Sequence, residues 1–278
     1  FTYNLTYSQG LLAPTKEDFM ELEKAEMDVD GFVEEDLPAS YSLRKYAPTP
    51  KEQEGATCVG WSLSYASMSI MYNVITETTD PTIKNLTAFD PYYIYSLIKT
   101  IDKDNSCEEG LIIPRGIAAT LDYGSKKYYL PNPPDFIEND KEIWCDDRWN
   151  MGSLENFALY NSKPYKPKEF YYLTNNDGKY GYLNYLKYLI SIENKPIIIG
   201  FDLRDSFDNI EDNGLWNPDL NDEQTEGHAM TVIGYDDNKF GGSIEIMNSW
   251  GTEFGDEGFL WVPYDKFYSL IEEKQIED

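Results

Sequence analysis

The chain has 278 residues, of which 41% are hydrophobic and 26% charged, and its formal net charge at pH 7 is −27. This length suffices for one large domain or for two lobes of about 100–150 residues each. Because phosphate contacts need clustered lysine and arginine, the acidic balance argues against nucleic acid and anionic membranes as partners. No apolar run approaches the roughly 20 residues that cross a bilayer, so membrane insertion is not expected.

The acidity of the chain has two interpretations. Solubility through self-repulsion requires no ligand, and this is the interpretation that we adopt. The alternative is calcium bound by the acidic run 205–222, but that run lacks the ligand spacing and the glycine of an EF-hand loop. The sequence therefore predicts no metal site.

The first 36 residues are polar and acidic, and they precede a segment rich in turn-forming residues and prolines, LPASYSLRKYAPTP. Within them, residues 15–27 predict a helix, because Thr15 and Asp18 form a weak capping box at its start. Residues 1–36 are treated as an N-terminal extension.

A buried helix is predicted directly after Cys58. Trp61 and Tyr65 share one face of this helix, while Val59 and Leu63 share another, so apolar side chains lie on both sides. More helices are predicted further along the chain, at 90–101 and at 114–124, the last of them ended by its glycine.

The second half of the chain changes its pattern from helical to strand-like. A helix at 182–196 runs into the apolar strand PIIIGFDL, and the stretches HAMTVIGYDD, GGSIEIMNSW and GFLWVPY follow as further strands. Gly, Asn and Asp separate these runs, as hairpin connections require. The sequence thus predicts an α+β protein with a helical lobe at 37–160 and a β-rich lobe at 161–278.

Cys58 is either a core residue or a nucleophile. A free cysteine commonly behaves as a small buried hydrophobe. As a nucleophile it needs its thiolate form, and a helix N-terminus or an adjacent imidazolium favours that form. Cys58 stands in the first turn of the predicted helix, and His228 is the one histidine that could serve as its base.

His228 and Asn248 follow each other in the strand-rich half. His228 begins a predicted strand, and Asn248 lies twenty residues later at the end of the next strand. A side-chain amide can orient an imidazole ring without adding charge. Each residue taken alone is more often structural, so their joint occurrence carries the interpretation.

Taken together, three stretches resemble the papain family of cysteine peptidases: QEGATCVGW, GHAMTVIGYDD and NSWGTEFGDEGF. LPASYSLRKYAPTP is similar to the mature N-terminus of that family, and CEEG at 107–110 to its cysteine–glycine segment near the substrate cleft. The resemblance covers 37–278 in the family's order Cys, His, Asn. It is nearest to a divergent bacterial branch, in which TCVGW replaces the usual Cys-Gly-Ser-Cys-Trp.

The resemblance implies a papain-like two-lobed fold, with a helical N-terminal lobe, a β-barrel-like C-terminal lobe and the active-site cleft between them. Cys58 would be the nucleophile, His228 the base and then the acid, and Asn248 the orienting amide. Gln53 would donate to the oxyanion hole beside the Cys58 backbone N–H, and Trp250 would cover the Asn–His hydrogen bond. Two glycines are expected to line the substrate groove, Gly110 and Gly227.

The resemblance also implies an activity, namely hydrolysis of peptide bonds through a thioester acyl-enzyme, without a cofactor, by a monomer acting on a peptide or protein. One alternative is a catalytically inactive papain-fold module that binds peptides or proteins. A weaker alternative is acyl transfer of the transglutaminase type, which the Asn-Ser-Trp-Gly segment disfavours. A chain that starts at Phe1 instead of Met fits a cleaved export signal, so a secreted, periplasmic or cell-surface location is expected.

Several positions depart from the family pattern. Gln53 lies five residues before Cys58 where six are usual, which indicates a deletion in the loop. Cys107 has lost its usual partner, so Cys145 becomes its candidate disulfide mate, the alternative being two unrelated reduced cysteines. The extension 1–36 is interpreted as a strap packed around the lobes, with an inhibitory pro-segment as the alternative.

Overall fold

The computed structural model describes residues 10–15, 18, 23–24, 37–103, 109–128, 165–173, 178–210 and 212–276. Within these ranges, helices dominate before residue 124, and an antiparallel sheet dominates after residue 196. The predicted α+β class is therefore confirmed. The lobe boundary predicted at 160–161 lies outside the described residues. So does the candidate disulfide between Cys107 and Cys145. No helix in the described ranges is long and apolar enough to span a bilayer.

The helix that begins at Cys58 has three consecutive segments, which we call the central helix: α-helical Cys58–Gly60, π-helical Trp61–Met68 and α-helical Ser69–Ile75. Every residue from 58 to 70 is buried. The burial on both sides that the apolar pattern predicted is thereby confirmed. The π-helical middle was not predicted, since the apolar spacing does not separate π from α turns.

Three more α-helices follow the central helix among the described residues of the N-terminal half, and the second and third of them pack against it. Two of them begin with an aspartate that accepts backbone N–H bonds and a proline at the next position, a combination that favours helix starts. The third ends at Gly124, which adopts a φ of 74°. These helices are α1 (Pro81–Leu86), α2 (Pro91–Asp102) and α3 (Ile113–Tyr123).

The C-terminal half is built on an antiparallel sheet of five strands: β2 (Ser40–Ser42), β4 (Ile197–Arg204), β5 (Gln224–Asp236), β6 (Ser243–Met247) and β7 (Phe259–Pro263). The strands lie in the order β2–β5–β6–β7, with β4 also paired to β5. Two helices pack against the sheet, α4 (Gly178–Ser191) and α5 (Tyr264–Ile276). Because β2 comes from the start of the chain, the sheet ties the two halves together.

A short parallel pair joins β1 (Glu23–Lys24) to β3 (Tyr171–Tyr172). The helix predicted over 15–27 is therefore wrong at 23–24, because pairing with a distant strand overrides the local helical pattern. The capping interaction is present all the same, since the Thr15 backbone N–H and hydroxyl both donate to Asp18 Oδ2. The helix predicted at 182–196 begins earlier, at 178, and ends at 191.

Candidate active site

Cys58 lies in the first turn of the central helix and is completely buried. Burial raises the pKa of its thiol to about 12, and nearby backbone groups of Ala229, Val59 and Cys58 itself act in the opposite direction. The N-terminus of the helix is therefore not sufficient to favour the thiolate. A thiolate at this position requires that a neighbouring base take the proton.

His228, which the sequence predicted as the base, lies on the strand that packs against the start of the central helix. Ala229, whose backbone approaches the Cys58 sulfur, is the residue directly after His228 on β5. The central helix and β5 pack against each other in this region. The fold thus brings Cys58 to the strand that carries the single histidine of the chain, although the two residues belong to opposite halves of the sequence.

Asn248 orients the histidine ring. His228 Nε2 lies 2.7 Å from Asn248 Oδ1, and that oxygen also accepts the backbone N–H of Ser249 at 2.8 Å. Because Oδ1 is an acceptor for both, Nε2 carries the ring proton, which leaves Nδ1 of the neutral ring as the basic nitrogen. Pairing of β5 with β6 brings the two residues together, since Asn248 directly follows β6.

Aromatic rings cover the His–Asn pair. The ring of Trp250 lies 5.4 Å from that of His228, centroid to centroid. Phe207 packs edge-on against Trp250 at 4.9 Å and also contacts the His228 ring at 6.2 Å, and Phe254 adds a further contact with Trp250. These rings keep water from the hydrogen bond and thereby strengthen it.

Gln53 is held by the segment that follows Asn248. Its backbone N–H donates to the Ser249 carbonyl at 2.7 Å, and its Oε1 accepts the Ser249 hydroxyl at 2.7 Å. The amide Nε2 donates to the Gly55 carbonyl at 3.0 Å. The segment from Gln53 to Cys58 is one residue shorter than usual, yet the Gln53 amide is still buried and held in place.

Residues 10–12 cross the site, and we call them the strap. Leu11 N–H donates to the Gly227 carbonyl at 3.0 Å, while Leu12 N–H donates to Leu111 and Leu111 N–H donates to Gly10, at 3.0 and 2.9 Å. The strap therefore bonds to β5 on one side and to the segment before α3 on the other.

Both glycines that were predicted to line the substrate groove lie against the strap. A Cβ at Gly110 would lie 1.5 Å from the Gly10 carbonyl oxygen, and one at Gly227 would lie 2.6 Å from the Leu11 carbonyl oxygen. Only a residue without a side chain allows such an approach. The two glycines were predicted for contact with a peptide backbone, and the backbone found there belongs to the chain itself.

Three further residues of the site were not predicted. Ser249 was passed over although it lies within the Asn-Ser-Trp-Gly segment, which was the available signal. Phe207 is one of two aromatic residues in the acidic run 205–222, a pattern too common to point to a site. Leu11 reaches the site only through long-range folding, and no local pattern marks it.

Comparisons with known proteins find similarity to cysteine proteases. The family model described as papain family cysteine protease matches residues 160–276. Cysteine proteinase 3 of Entamoeba histolytica is 32% identical over 77 residues, which make up 27% of this chain and 25% of that protein. The match thus spans about a quarter of the length of this curated relative.

Solved structures match nearly the whole chain. Xylellain, a cysteine protease from Xylella fastidiosa, has a TM-score of 0.65 at 19% identity, covering 93% of this chain and 90% of its own. Digestive procathepsin L2 from Tenebrio molitor larval midgut has a TM-score of 0.64 at 16% identity, covering 92% and 73%. ProCathepsin B S9 from Trypanosoma congolense has a TM-score of 0.60 at 17% identity, covering 92% and 80%. The fold is thus papain-like, and the predicted resemblance of this chain to the papain family of cysteine proteases is confirmed.

Proposed function

We propose that the protein is a cysteine peptidase in which Cys58, His228 and Asn248 form the catalytic triad. The observation that carries this proposal is the 2.7 Å contact of His228 Nε2 with Asn248 Oδ1. His228 lies on β5, and the next residue of that strand, Ala229, approaches the Cys58 sulfur. A nucleophile, a base and a group that orients the base are the parts that covalent acyl transfer needs.

The chemistry follows from these positions. The Cys58 proton passes to His228 Nδ1, and the sulfur attacks the peptide carbonyl carbon to give a tetrahedral oxyanion. When this collapses, the C–N bond breaks, the amine leaves with the proton from His228, and a thioester remains. Water, deprotonated by His228, then attacks the thioester, the acid product leaves, and the sulfur recovers its proton.

In the proposed mechanism, Gln53 Nε2 and the Cys58 backbone N–H stabilise the oxyanion. In the present arrangement, Gln53 Nε2 is bonded to the Gly55 carbonyl, so the amide group must turn toward the oxyanion when substrate binds. Such donors matter most where water is excluded, and Gln53 is only 5% exposed. Ser249 keeps the other end of the amide in place through its bond to Oε1.

We further propose that the strap blocks the site in the described state. Cys58 and His228 are both 0% exposed, and the strap occupies the backbone groups of Gly227 and Leu111 that a peptide would otherwise bond. Of the two roles predicted for residues 1–36, these contacts favour the inhibitory segment. The alternative is that residues 1–36 pack around the lobes without an inhibitory role, and displacement of the strap by Gly10→Val tests it.

A library of fluorogenic peptides, assayed with the wild-type chain and with Cys58→Ala, tests the peptidase proposal. Both are assayed with Gly10→Val added, because a side chain at Gly10 would collide with the Ala56 backbone and displace the strap. Turnover by the chain with Cys58 and none by the Cys58→Ala chain supports the proposal. Equal turnover by both, or specific binding of peptides without any cleavage, contradicts it.

Three finer expectations remain predictions. Addition of an amine to the assay separates hydrolysis from acyl transfer, since only a transferase incorporates the amine into the product. Export from the cytoplasm and a monomeric state are likewise predicted, and fractionation of the source cells and light scattering check them.

A further inference from the structure

We infer that Thr231 is a positioning residue that fixes the central helix against β5 and so sets the approach of Cys58 to His228. This inference rests on the proposed function, because it assigns a role within the same triad. Thr231 lies three residues after His228 on β5 and is 0% exposed. It contacts neither a substrate nor a reacting atom, so its effect passes through other residues.

The hydroxyl of Thr231 reaches across to the π-helical segment. Its Oγ1 donates to the Ser62 carbonyl at 3.0 Å and lies 3.4 Å from the Ser67 hydroxyl. Ser62 and Ser67 are five residues apart, the spacing that hydrogen bonds connect in a π-helix. The threonine therefore meets the central helix at its widened turn, where an inserted side chain can bond to a backbone carbonyl.

A second contact joins the same two elements one turn earlier. The backbone of Ala229 approaches the Cys58 sulfur. Ala229 and Thr231 are two residues apart on the strand, about 6.7 Å, while Cys58 and Ser62 are four residues apart on the helix, about 6 Å. Because these distances nearly match, the strand and the helix touch at both points simultaneously.

The consequence for the site is geometric. One of the two contact points joins the Cys58 sulfur to Ala229, and the residue before Ala229 on the strand is His228. If the Thr231 contact is lost, the central helix can slide or rotate against β5 about the remaining contact. The sulfur would then move relative to the imidazole, while the His228–Asn248 bond, which lies within the sheet, stays intact.

The single histidine makes this inference measurable without any enzyme assay. We propose to record the pH titration of the His228 imidazole signal by NMR on the full chain, for the wild type and for Thr231→Val, Thr231→Ser and Thr120→Val. Of the side chains that contact the ring, Asn248, Trp250 and Phe207 do not titrate. The carboxylates of Asp202, opposite Gly227 on β4, and of Glu226 are the same in all four chains, so a difference between chains reflects the approach of Cys58. The midpoint therefore reports how closely the sulfur and the ring interact.

Thr231→Val keeps the shape of the side chain and removes the hydroxyl. It should lower the titration midpoint by about half a pH unit or more, because a more distant sulfur stabilises the imidazolium less. Thr231→Ser keeps the hydroxyl and should restore the wild-type midpoint. Thr120→Val is the matched control, since it removes an equally buried hydroxyl that bonds to a carbonyl of its own helix, Gly116.

A titration curve of Thr231→Val that superimposes on the wild type, at whatever melting temperature, would overturn the inference. If Thr231→Val does not fold, Thr231→Ala removes the hydroxyl without adding a methyl group and is subject to the same criterion. Failure of the peptidase proposal is distinguishable, because a chain that cleaves no peptide still shows whether Thr231 sets the titration of His228.

Discussion

Leu11 N–H donates to the Gly227 carbonyl at 3.0 Å, so a residue near the start of the chain bonds to the residue just before His228. This bond carries the strap across the site. Gly10 makes the crossing feasible, because it has a φ of +76° and a Cβ there would lie 2.4 Å from the Ala56 backbone. Backbone hydrogen bonds therefore hold the strap, and its close approach to Ala56 requires a glycine at position 10.

Gly10→Val should open the site. The rate at which iodoacetamide modifies Cys58, located by peptide mapping, should rise at least about tenfold, because opening otherwise costs three backbone hydrogen bonds of about 1 kcal/mol each. Leu12→Ala is the control and should leave the rate unchanged, because Leu12 is a half-exposed strap residue that bonds to Leu111 through its backbone N–H. An unaltered rate in Gly10→Val would show that the strap does not block the sulfur.

Asn248→Ala should lower kcat for a fluorogenic peptide at least about tenfold, because the His228 ring loses a buried hydrogen bond worth about 1–3 kcal/mol. KM should change little, since Asn248 is predicted to touch the base and not the peptide. Steady-state kinetics in the Gly10→Val background measure both constants. Asn209→Ala, at an exposed position of the acidic run, is the matched control, and equal kcat values for the two variants would refute the role.

Gln53→Ala should reduce kcat by about 10²–10³, the effect of losing one oxyanion donor. Ser249→Ala should reduce it by less, because the amide remains but loses the bond from Ser249 Oγ to Gln53 Oε1 that holds it. Ser269→Ala removes a serine hydroxyl from α5, outside the site, and controls for the substitution. If Ser249→Ala matches that control, Ser249 does not position Gln53.

Asp90 gives the folded state a pH dependence of its own. Burial raises the pKa of this N-cap carboxyl to about 7, from an ordinary value of 3.8. Between about pH 4 and 7 the folded chain holds a proton there that the unfolded chain lacks, so the contribution of Asp90 to stability falls as the pH rises through this window. Above about pH 7 the contribution is constant.

Asp90→Asn removes this titration and keeps a good capping residue. Its free energy of unfolding in urea, relative to the wild type, should therefore increase between about pH 4 and 7, by at most about 1.4 kcal/mol per pH unit. Asp80→Asn, at the exposed N-cap of α1, controls for the loss of a capping carboxylate. A stability difference for Asp90→Asn that is independent of pH would contradict this account.

The sequence predicted the parts of the site that short motifs carry, and missed the parts that depend on distant contacts. Cys58 and Asn248 could be singled out as candidates because each lies in a motif of fixed spacing next to a helix start or a strand end. Leu11 and Phe207 could not be identified, since only tertiary packing brings them to His228. The π-helical turn, whose Ser62 carbonyl accepts a bond from Thr231 in the other half of the chain, is likewise not marked by any local pattern.

The rate of Cys58 alkylation as a function of pH tests the central claim, that His228 takes the proton of this buried thiol. In the Gly10→Val background, the account predicts that iodoacetamide still modifies Cys58 rapidly below pH 6, and that adding His228→Ala confines the reaction to alkaline pH. The account would be contradicted if the chain that retains His228 reacted only above about pH 8.5, as an ordinary thiol does.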